Sequence, residues 1–171
     1  MKYIYKLGLL LVLSFSTTVV CAALKIGVLN VETLLTESPQ AKFSMQKLEK
    51  EFKGRQAELQ SIDSQLKKAF TALQRDKEVI SESERRKKEQ NIQKLQRDLQ
   101  RKDQEFKADY SARHNEELAS FLKIVKTVAD GLAVKEKYDL VLHDKTTFFH
   151  SKHIDITDKV LQGLKAASSS S

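Results

Sequence analysis

The chain has 171 residues, enough for one domain of ordinary size. Charged residues make up 31% of it, and one Pro, five Gly and no Trp argue against an all-β or loop-rich fold. A single cysteine excludes an internal disulfide and a cysteine-based zinc site, while the net charge of +7 suits acidic partners without choosing among nucleic acid, anionic lipid and acidic protein.

The first 22 residues are predicted to be a cleavable secretory signal peptide. Lys2 and Lys6 precede an apolar run at residues 7–15, and Ala22 is a small residue that a signal peptidase accepts, so we place the cleavage after Ala22. This run is shorter than the roughly 20 residues that span a bilayer. Export weakens the nucleic-acid interpretation of the positive charge, because an exported protein does not normally meet DNA.

Cys21 lies just before the predicted cleavage site, so we expect it to leave with the signal peptide. Lipidation of Cys21 is the alternative. Val20 disfavours it, because bacterial lipoboxes usually carry a small residue before the cysteine.

A short strand is predicted at the start of the mature chain. Residues 24–31 alternate partly between apolar and polar and are rich in β-branched side chains. Residues 33–40 are predicted to be a connector, in which Ser38 is suited to cap a helix and Pro39 to occupy its first position.

Residues 41–130 are predicted to be helical, since they contain no Pro, only Gly54 as a glycine, and mostly good helix formers. Gly54 indicates either a close helix approach, a bend or plain tolerance. Every seventh residue from Met45 is apolar, a heptad repeat typical of a left-handed coiled coil. The repeat consists of Met45, Phe52, Leu59, Leu66, Leu73 and Ile80.

The heptad repeat breaks near Ser81, which has the spacing of a capping box with Glu84 and so predicts a new helix. A second apolar seam follows, and its phase shifts between Phe106 and Leu118. Two helices of roughly 40–50 residues, joined by a tight reversal, are the simplest arrangement. A single straight rod is the alternative. The second seam consists of Ile92, Leu95, Leu99, Phe106, Tyr110, Leu118, Phe121, Val125, Val128 and Leu132.

Two further strands are predicted near the C-terminus, at residues 138–143 and 146–150, with a hairpin turn at Asp144–Lys145. A short amphipathic helix is predicted from Asp155, and residues 166–171 are predicted to be a disordered polar tail. Three short strands and one short helix bury little core alone. We therefore expect an α+β, mostly α protein, in which a long antiparallel helical hairpin projects from a small β-rich oligomerisation body.

Two stretches of the chain resemble the Skp (OmpH-like) family of periplasmic chaperones. Residues 48–60, LEKEFKGRQAELQ, are similar to the family segment EFKGR-x-x-ELQ, and residues 138–142 and 155–161 are similar to the family ending. The order of signal peptide, strand, hairpin, strand pair and final helix also matches. The sequence of residues 82–88, ESERRKK, matches no family motif that we recognise, so the hairpin tip is the least transferable part.

The resemblance implies a periplasmic homotrimer with a body and three arms. It would hold unfolded outer-membrane proteins between the arms, without ATP or any cofactor. The implied organisation is a signal peptide at 1–22, a discontinuous trimerisation body from 23–40 and 134–171, and an arm at 41–133 with its tip near 81–88.

Some apolar residues of the hairpin are candidate contacts for such clients. Packing of the two helices on each other is the simpler interpretation for most of the apolar stripe, but Phe70 and Tyr110 fall off the strict seam. A holdase needs dispersed, weak apolar contacts, since a large dry patch would itself aggregate. The candidates are Leu66, Phe70, Leu73, Phe106 and Tyr110.

The excess positive charge of the mature chain lies on the predicted hairpin. Residues 41–133 contain 21 Lys and Arg against 16 Asp and Glu, whereas the rest of the mature chain is balanced. Positive arms would speed the encounter with acidic clients or an anionic membrane surface, and salt would weaken the effect. The densest cluster is a candidate electrostatic tip or else a solvated helix turn, and consists of Arg85, Arg86, Lys87 and Lys88.

No motif predicts catalysis, a cofactor or a metal site. His150 and His153 are spaced three apart near Asp155, but they lie in a predicted strand and loop instead of on a helix. The leading hypothesis is a holdase chaperone that is not an enzyme. A structural coiled-coil envelope scaffold without clients is the alternative, and a nucleic-acid-binding protein comes third.

Overall fold

The computed structural model describes residues 23–169. The predicted signal peptide, with Cys21, lies outside this range. Strand β1 (Ile26–Leu29) and strand β2 (Leu140–His143) form a two-stranded parallel sheet, in which Ile26 is opposite Leu140 and Leu29 is opposite His143. In residues 23–169, no helix is long and apolar enough to span a membrane.

Four α-helices make up most of residues 23–169: α1 (Val31–Glu37), α2 (Pro39–Asp76), α3 (Glu82–Glu136) and α4 (Thr157–Ser169). The two central helices have 38 and 55 residues. The prediction of an α+β, mostly α protein with a long antiparallel helical hairpin is confirmed.

The segment predicted to be a connector contains a helix, so that prediction was wrong. The side chain of Asn30 caps α1 by accepting a hydrogen bond from the Thr33 amide at 2.8 Å. The start of α2 is as predicted: the Ser38 hydroxyl accepts from the Ala41 amide at 3.3 Å, and Pro39 is the first helical residue.

Helices α2 and α3 form an antiparallel hairpin, which rules out the single straight rod. Their facing ion pairs converge on the turn, from Lys47 with Glu117 to Asp76 with Lys88. The predicted capping box starts α3, because the Ser81 hydroxyl accepts from the Glu84 amide and the Glu84 carboxylate accepts from the Ser81 amide.

The hydrophobic core lies at the root of the hairpin, where α4 and α1 pack against α2 and α3. The Ile156 amide donates to the Val28 carbonyl at 2.9 Å, and the Thr157 hydroxyl accepts from the Asn30 amide at 2.9 Å, so α4 starts directly against β1. The buried residues of this core are Leu29, Leu34, Ala41, Phe121, Val125, Ala129, Ile156, Val160, Leu161 and Leu164.

The C-terminal prediction needs two corrections. Residues 146–150 do not form a strand: among the described residues, β2 pairs with β1 and not with the segment that follows it. This segment lies between 3₁₀ turns at Asp144–Thr146 and Lys152–Ile154. The tail predicted to be disordered is helical as far as Ser169, since α4 extends through it.

Candidate functional site: the helical hairpin

An aromatic cluster joins the two hairpin helices near their root. Phe52, only 5% exposed, contacts Phe106 and Tyr110 edge-on, with ring centroids 5.6 and 5.2 Å apart. Phe106 and Tyr110 stack at 5.9 Å, and His114 stacks on Tyr110 at 6.3 Å. Edge-to-face and stacked aromatic pairs add to the stabilisation that comes from burying their surface. This cluster therefore stabilises the packing of α2 against α3.

One side of the hairpin carries a row of ion pairs between the helices. The α2 partners are spaced three or four residues apart and so share one helix face, as do the α3 partners. We call this the ion-pair side. Its pairs are Lys47–Glu117, Glu51–Arg113, Arg55–Asp109 and Glu58–Lys102.

The centre of the ion-pair side is a network around Arg113, which contacts Glu51, Glu116 and Glu117. Hydrogen bonding to Glu51 and then Glu116 raises the pKa of Arg113. Hydrogen bonds from Lys47 and Ser44 lower the pKa of Glu117, so that carboxylate stays charged.

The other side of the hairpin carries two open grooves, and we call it the groove side. A root groove of about 440 Å³ lies beside the aromatic cluster and is lined by Met45, Gln46, Glu49, Phe52, Gln56, Phe106 and Tyr110. A mid-hairpin groove of about 460 Å³ lies closer to the turn and is lined by Leu59, Gln60, Asp63, Leu66, Gln96, Leu99, Gln100 and Asp103. No ion pair joins the two helices across either groove within the described residues.

The five candidate client contacts are not one patch. Phe106 and Tyr110 line the root groove, and Leu66 lines the mid-hairpin groove. Phe70, 41% exposed, and the half-buried Leu73 lie nearer the turn and line neither groove. Sequence reasoning did not single out the groove glutamines, although Gln93, Gln96, Gln100 and Gln104 are spaced three or four residues apart on one face of α3.

The heptad seam is only partly buried in one chain. Phe52 and Leu48 are buried, whereas Met45 is 52% exposed and the later positions Leu59 and Leu66 are half-buried. Each of the two helices buries only a narrow strip of the other. The seam residues Met45, Leu59 and Leu66 therefore stay partly exposed and line the two grooves.

The basic cluster near the turn is largely neutralised within the chain. Arg85 pairs with Glu82 and Glu89, and Arg86 also pairs with Glu82. Lys88 reaches across the turn to Asp76, with 2.6 Å between Nζ and Oδ2.

Hydrogen bonds from Arg75 and Lys88 lower the pKa of Asp76 to about 2. Among Arg85, Arg86, Lys87 and Lys88, only Lys87 has no ion pair to any residue in the range 23–169.

The root of the molecule exposes large apolar side chains that a single chain leaves uncovered. Phe149 is 86% exposed and Phe148 fully exposed, in the segment between the two 3₁₀ turns. Two adjacent large apolar side chains that are almost entirely exposed are typical of an interaction surface. Other exposed side chains at this end are Leu24, Phe43, Val134 and Leu140.

His150 and His153 do not form a metal site with Asp155. The His153 Nδ1 lies 2.9 Å from the Ser151 hydroxyl, and Asp155 accepts from the Thr157 amide at 2.8 Å. Across residues 23–169, no group of three His, Cys, Asp or Glu side chains could hold a metal ion.

Comparison with known proteins places this architecture. The family described as "Outer membrane protein (OmpH-like)" matches residues 25–164. The chain belongs to the OmpH-like family. Among its relatives, the chaperone protein Skp of Pectobacterium atrosepticum is 35% identical over 96% of this chain and 99% of its own length. Skp of Yersinia enterocolitica is 32% identical over the same shares of the two chains.

The fold of this OmpH-like chain is also that of a solved relative. The crystal structure of an OmpH-like protein from Caulobacter crescentus superposes with a TM-score of 0.70, over 85% of this chain and 86% of that one. The two sequences are 20% identical, so this comparison supports the shared fold alone. The resemblance noted from the EFKGR and C-terminal stretches is thereby confirmed, in a family whose curated relatives are chaperones.

Proposed function

We propose that this protein is an ATP-independent holdase chaperone of the periplasm, which binds unfolded outer-membrane proteins between its helical arms and prevents their aggregation. The observation that carries the proposal is the groove side of the hairpin, in a chain that matches Skp chaperones along nearly its whole length. The protein needs no catalytic residue and no cofactor for this task.

The groove side suits transient binding of unfolded chains. Its apolar side chains are spread over two open grooves and are interrupted by glutamines and carboxylates, so the protein itself stays soluble. An unfolded client exposes scattered apolar side chains, and many weak contacts along an arm hold it without selecting one sequence. The ion-pair side joins the two helices at the level of the root groove, and its row of pairs ends at Glu58–Lys102, where the mid-hairpin groove begins.

A trimer completes the proposed binding space. The exposed apolar side chains at the root, above all Phe148 and Phe149, support assembly there. The two-stranded sheet of β1 and β2 also leaves two edges whose backbone groups another chain can pair. Burying this end places three hairpins around one cavity.

The charge of the arms supports the encounter with clients. The hairpin carries an excess of positive charge, which attracts acidic unfolded chains and anionic membrane surfaces at low salt. Because three of the four basic residues near the turn are already paired, we assign this attraction to the whole hairpin and not to its tip.

The test is suppression of aggregation of a urea-unfolded outer-membrane β-barrel protein, followed by light scattering after dilution. Wild-type protein is expected to suppress scattering at one trimer per client without ATP. The double variant Leu66→Ala, Phe70→Ala should lose suppression, because it removes two apolar contacts from the hairpin.

The matched control is Leu122→Ala, Ile124→Ala, which removes two apolar side chains from α3 whose exposures, 40% and 39%, are close to the 41% of Phe70. It should suppress scattering as the wild type does. A wild-type trimer that does not suppress scattering would favour the envelope scaffold instead.

A further inference from the structure

The mid-hairpin groove has an unusual lining for a helical hairpin. Its floor is apolar, formed by Leu59, Leu66 and Leu99, and its rim is amide-rich, with Gln60 on α2 and Gln96 and Gln100 on α3. The row of interhelical ion pairs lies nearer the root, from Lys47–Glu117 to Glu58–Lys102. Neutral amides therefore border this groove, whereas charged pairs border the hairpin closer to the root.

The groove is also electrically balanced. Its two carboxylates, Asp63 and Asp103, each pair with a lysine one turn further along their own helix, Lys67 and Lys107, at 2.6 Å. The neutral amides between these compensated charges neither attract nor repel a charged side chain. A ligand with no net charge of its own matches this lining.

The three glutamine side chains are exposed and make no hydrogen bond to any residue in the range 23–169. A glutamine side chain carries both an amide donor and a carbonyl acceptor. The one ligand group that offers the complementary donor and acceptor at every residue, whatever the sequence, is a polypeptide main chain without secondary structure.

We infer that the mid-hairpin groove binds the extended main chain of an unfolded polypeptide, with hydrogen bonds from Gln60, Gln96 and Gln100 and apolar contacts from the leucines of the floor. This inference rests on the proposed function and names the part of the client that is recognised. It explains how an arm binds chains of different sequence, because the main chain is common to all of them. The side chains of the client would contribute only apolar contacts with the leucines of the groove.

The test compares two probes on the full-length trimer: an uncharged, soluble peptide of alternating apolar and polar residues, and the same peptide N-methylated at alternate residues. Wild-type protein is expected to bind the unmodified peptide at least about tenfold more tightly, a difference of about 1.4 kcal/mol, since N-methylation removes main-chain donors. The variant Gln60→Ala, Gln96→Ala, Gln100→Ala should lose about tenfold in affinity for the unmodified peptide and should no longer distinguish the two probes.

The matched control is Gln74→Ala, Gln90→Ala, Gln162→Ala, which removes three exposed amides that line neither groove and lie more than one helical turn from Gln60, Gln96 and Gln100. Alanine favours helix at every one of these positions, so both variants should keep the wild-type unfolding temperature and mass. The control should bind both probes as the wild type does.

Three results would overturn the inference. The first is a groove variant that binds the unmodified peptide as tightly as the control while the wild type suppresses client aggregation; in that case the chaperone function stands. The second is a change of mass in the groove variant, which would show that the amides contact a second copy of the chain. The third is a wild type that binds neither peptide nor unfolded client, in which case the proposed function fails as well.

Discussion

At the scale of single residues, Phe52 is the side chain on which the hairpin root depends. It is buried and touches both aromatic partners from α3, whereas Arg55 lies over its ring with a centroid distance of 5.6 Å. The neighbouring Phe106 and Tyr110 therefore have a structural role besides any contact with clients. Phe70 has no such partners among the aromatic contacts of residues 23–169.

Replacing Phe52 by alanine should destabilise the protein by about 3 kcal/mol, because it removes a buried ring and leaves a cavity between the helices. Phe70→Ala should cost less than about 1 kcal/mol, since Phe70 is 41% exposed. Urea unfolding followed by circular dichroism measures both. Equal losses in the two variants would contradict the assignment of Phe52 to structure and Phe70 to a surface contact.

Asp76 links the end of α2 to the start of α3, and its effect on stability should depend on pH. Its pKa is about 2 in the folded chain, below its ordinary value of 3.8, because Arg75 and Lys88 donate to its carboxylate. A depressed folded pKa stabilises the folded state above pH 3.8, and the effect is lost as the pH falls toward 2.

Asp76→Asn should therefore unfold at a lower temperature than the wild type at pH 6, and the difference should disappear between about pH 4 and pH 2. Thermal unfolding across this range measures it. Glu78→Gln is a control, because the same charge is removed at a nearby position that makes no ion pair within the described chain. A difference that stays constant down to pH 2 would show that the ion pairs of Asp76 do not cause it.

At the scale of the helices, two glycines have opposite roles. A Cβ at Gly54 would meet nothing within 4 Å, so the close helix approach considered from the sequence does not occur there within one chain. A Cβ at Gly163 would lie 2.6 Å from Val128 Cγ1. Gly163 thus lets α4 approach α3 closely, and the stiff Val128 side chain cannot turn away.

Gly54→Ala should stabilise the protein by about 0.5–1 kcal/mol, because alanine loses less backbone entropy in a helix. Gly163→Ala should destabilise it by about 1–3 kcal/mol through overpacking. Unfolding midpoints of the two variants measured side by side test this contrast. A loss of stability in Gly54→Ala would indicate that a partner chain approaches α2 at that point.

The sequence predicted the helices better than the strands because helix signals are local. Ser38, Pro39, Ser81 and Glu84 each act within one turn, and the structure uses all four as predicted. The strand predicted at residues 146–150 failed for the opposite reason. A strand needs a partner, and β-branched or aromatic composition alone does not supply one.

The candidate site was predictable only in part. Phe106 and Leu66 follow the apolar periodicity, whereas Tyr110 was chosen because it falls off the strict seam; all three line grooves, and their contact with clients stays a prediction. The division into an ion-pair side and a groove side depends on which residues of α2 face which residues of α3. That register is set by the position of the turn and the aromatic cluster, so the role of a glutamine rim was not visible in the sequence.

At the scale of the whole molecule, the root of the hairpin carries apolar side chains that one chain leaves exposed, above all Phe148 and Phe149. Phe148→Ser with Phe149→Ser should dissociate the proposed trimer, because these side chains are 86% exposed or more in one chain and we propose that a second copy buries them. Analytical ultracentrifugation measures the mass. Val79→Ser, which removes an 84% exposed side chain at the hairpin turn, should leave the trimer intact. A double variant that stays trimeric would place the interface elsewhere.

The antiparallel pairing of α2 and α3 sets an order of folding. Near the turn, Asp76 and Lys88 are 12 residues apart, and at the root Lys47 and Glu117 are 70 apart. Lys25 and Asp139, which bond where β1 meets β2, are 114 residues apart. Because closing a longer loop costs more entropy, the hairpin should zip from its turn toward its root, and the parallel sheet should close last. The hairpin of each chain would then fold before the root that mediates the proposed assembly. A single subunit would therefore pass through a monomeric state in which the two grooves are already formed.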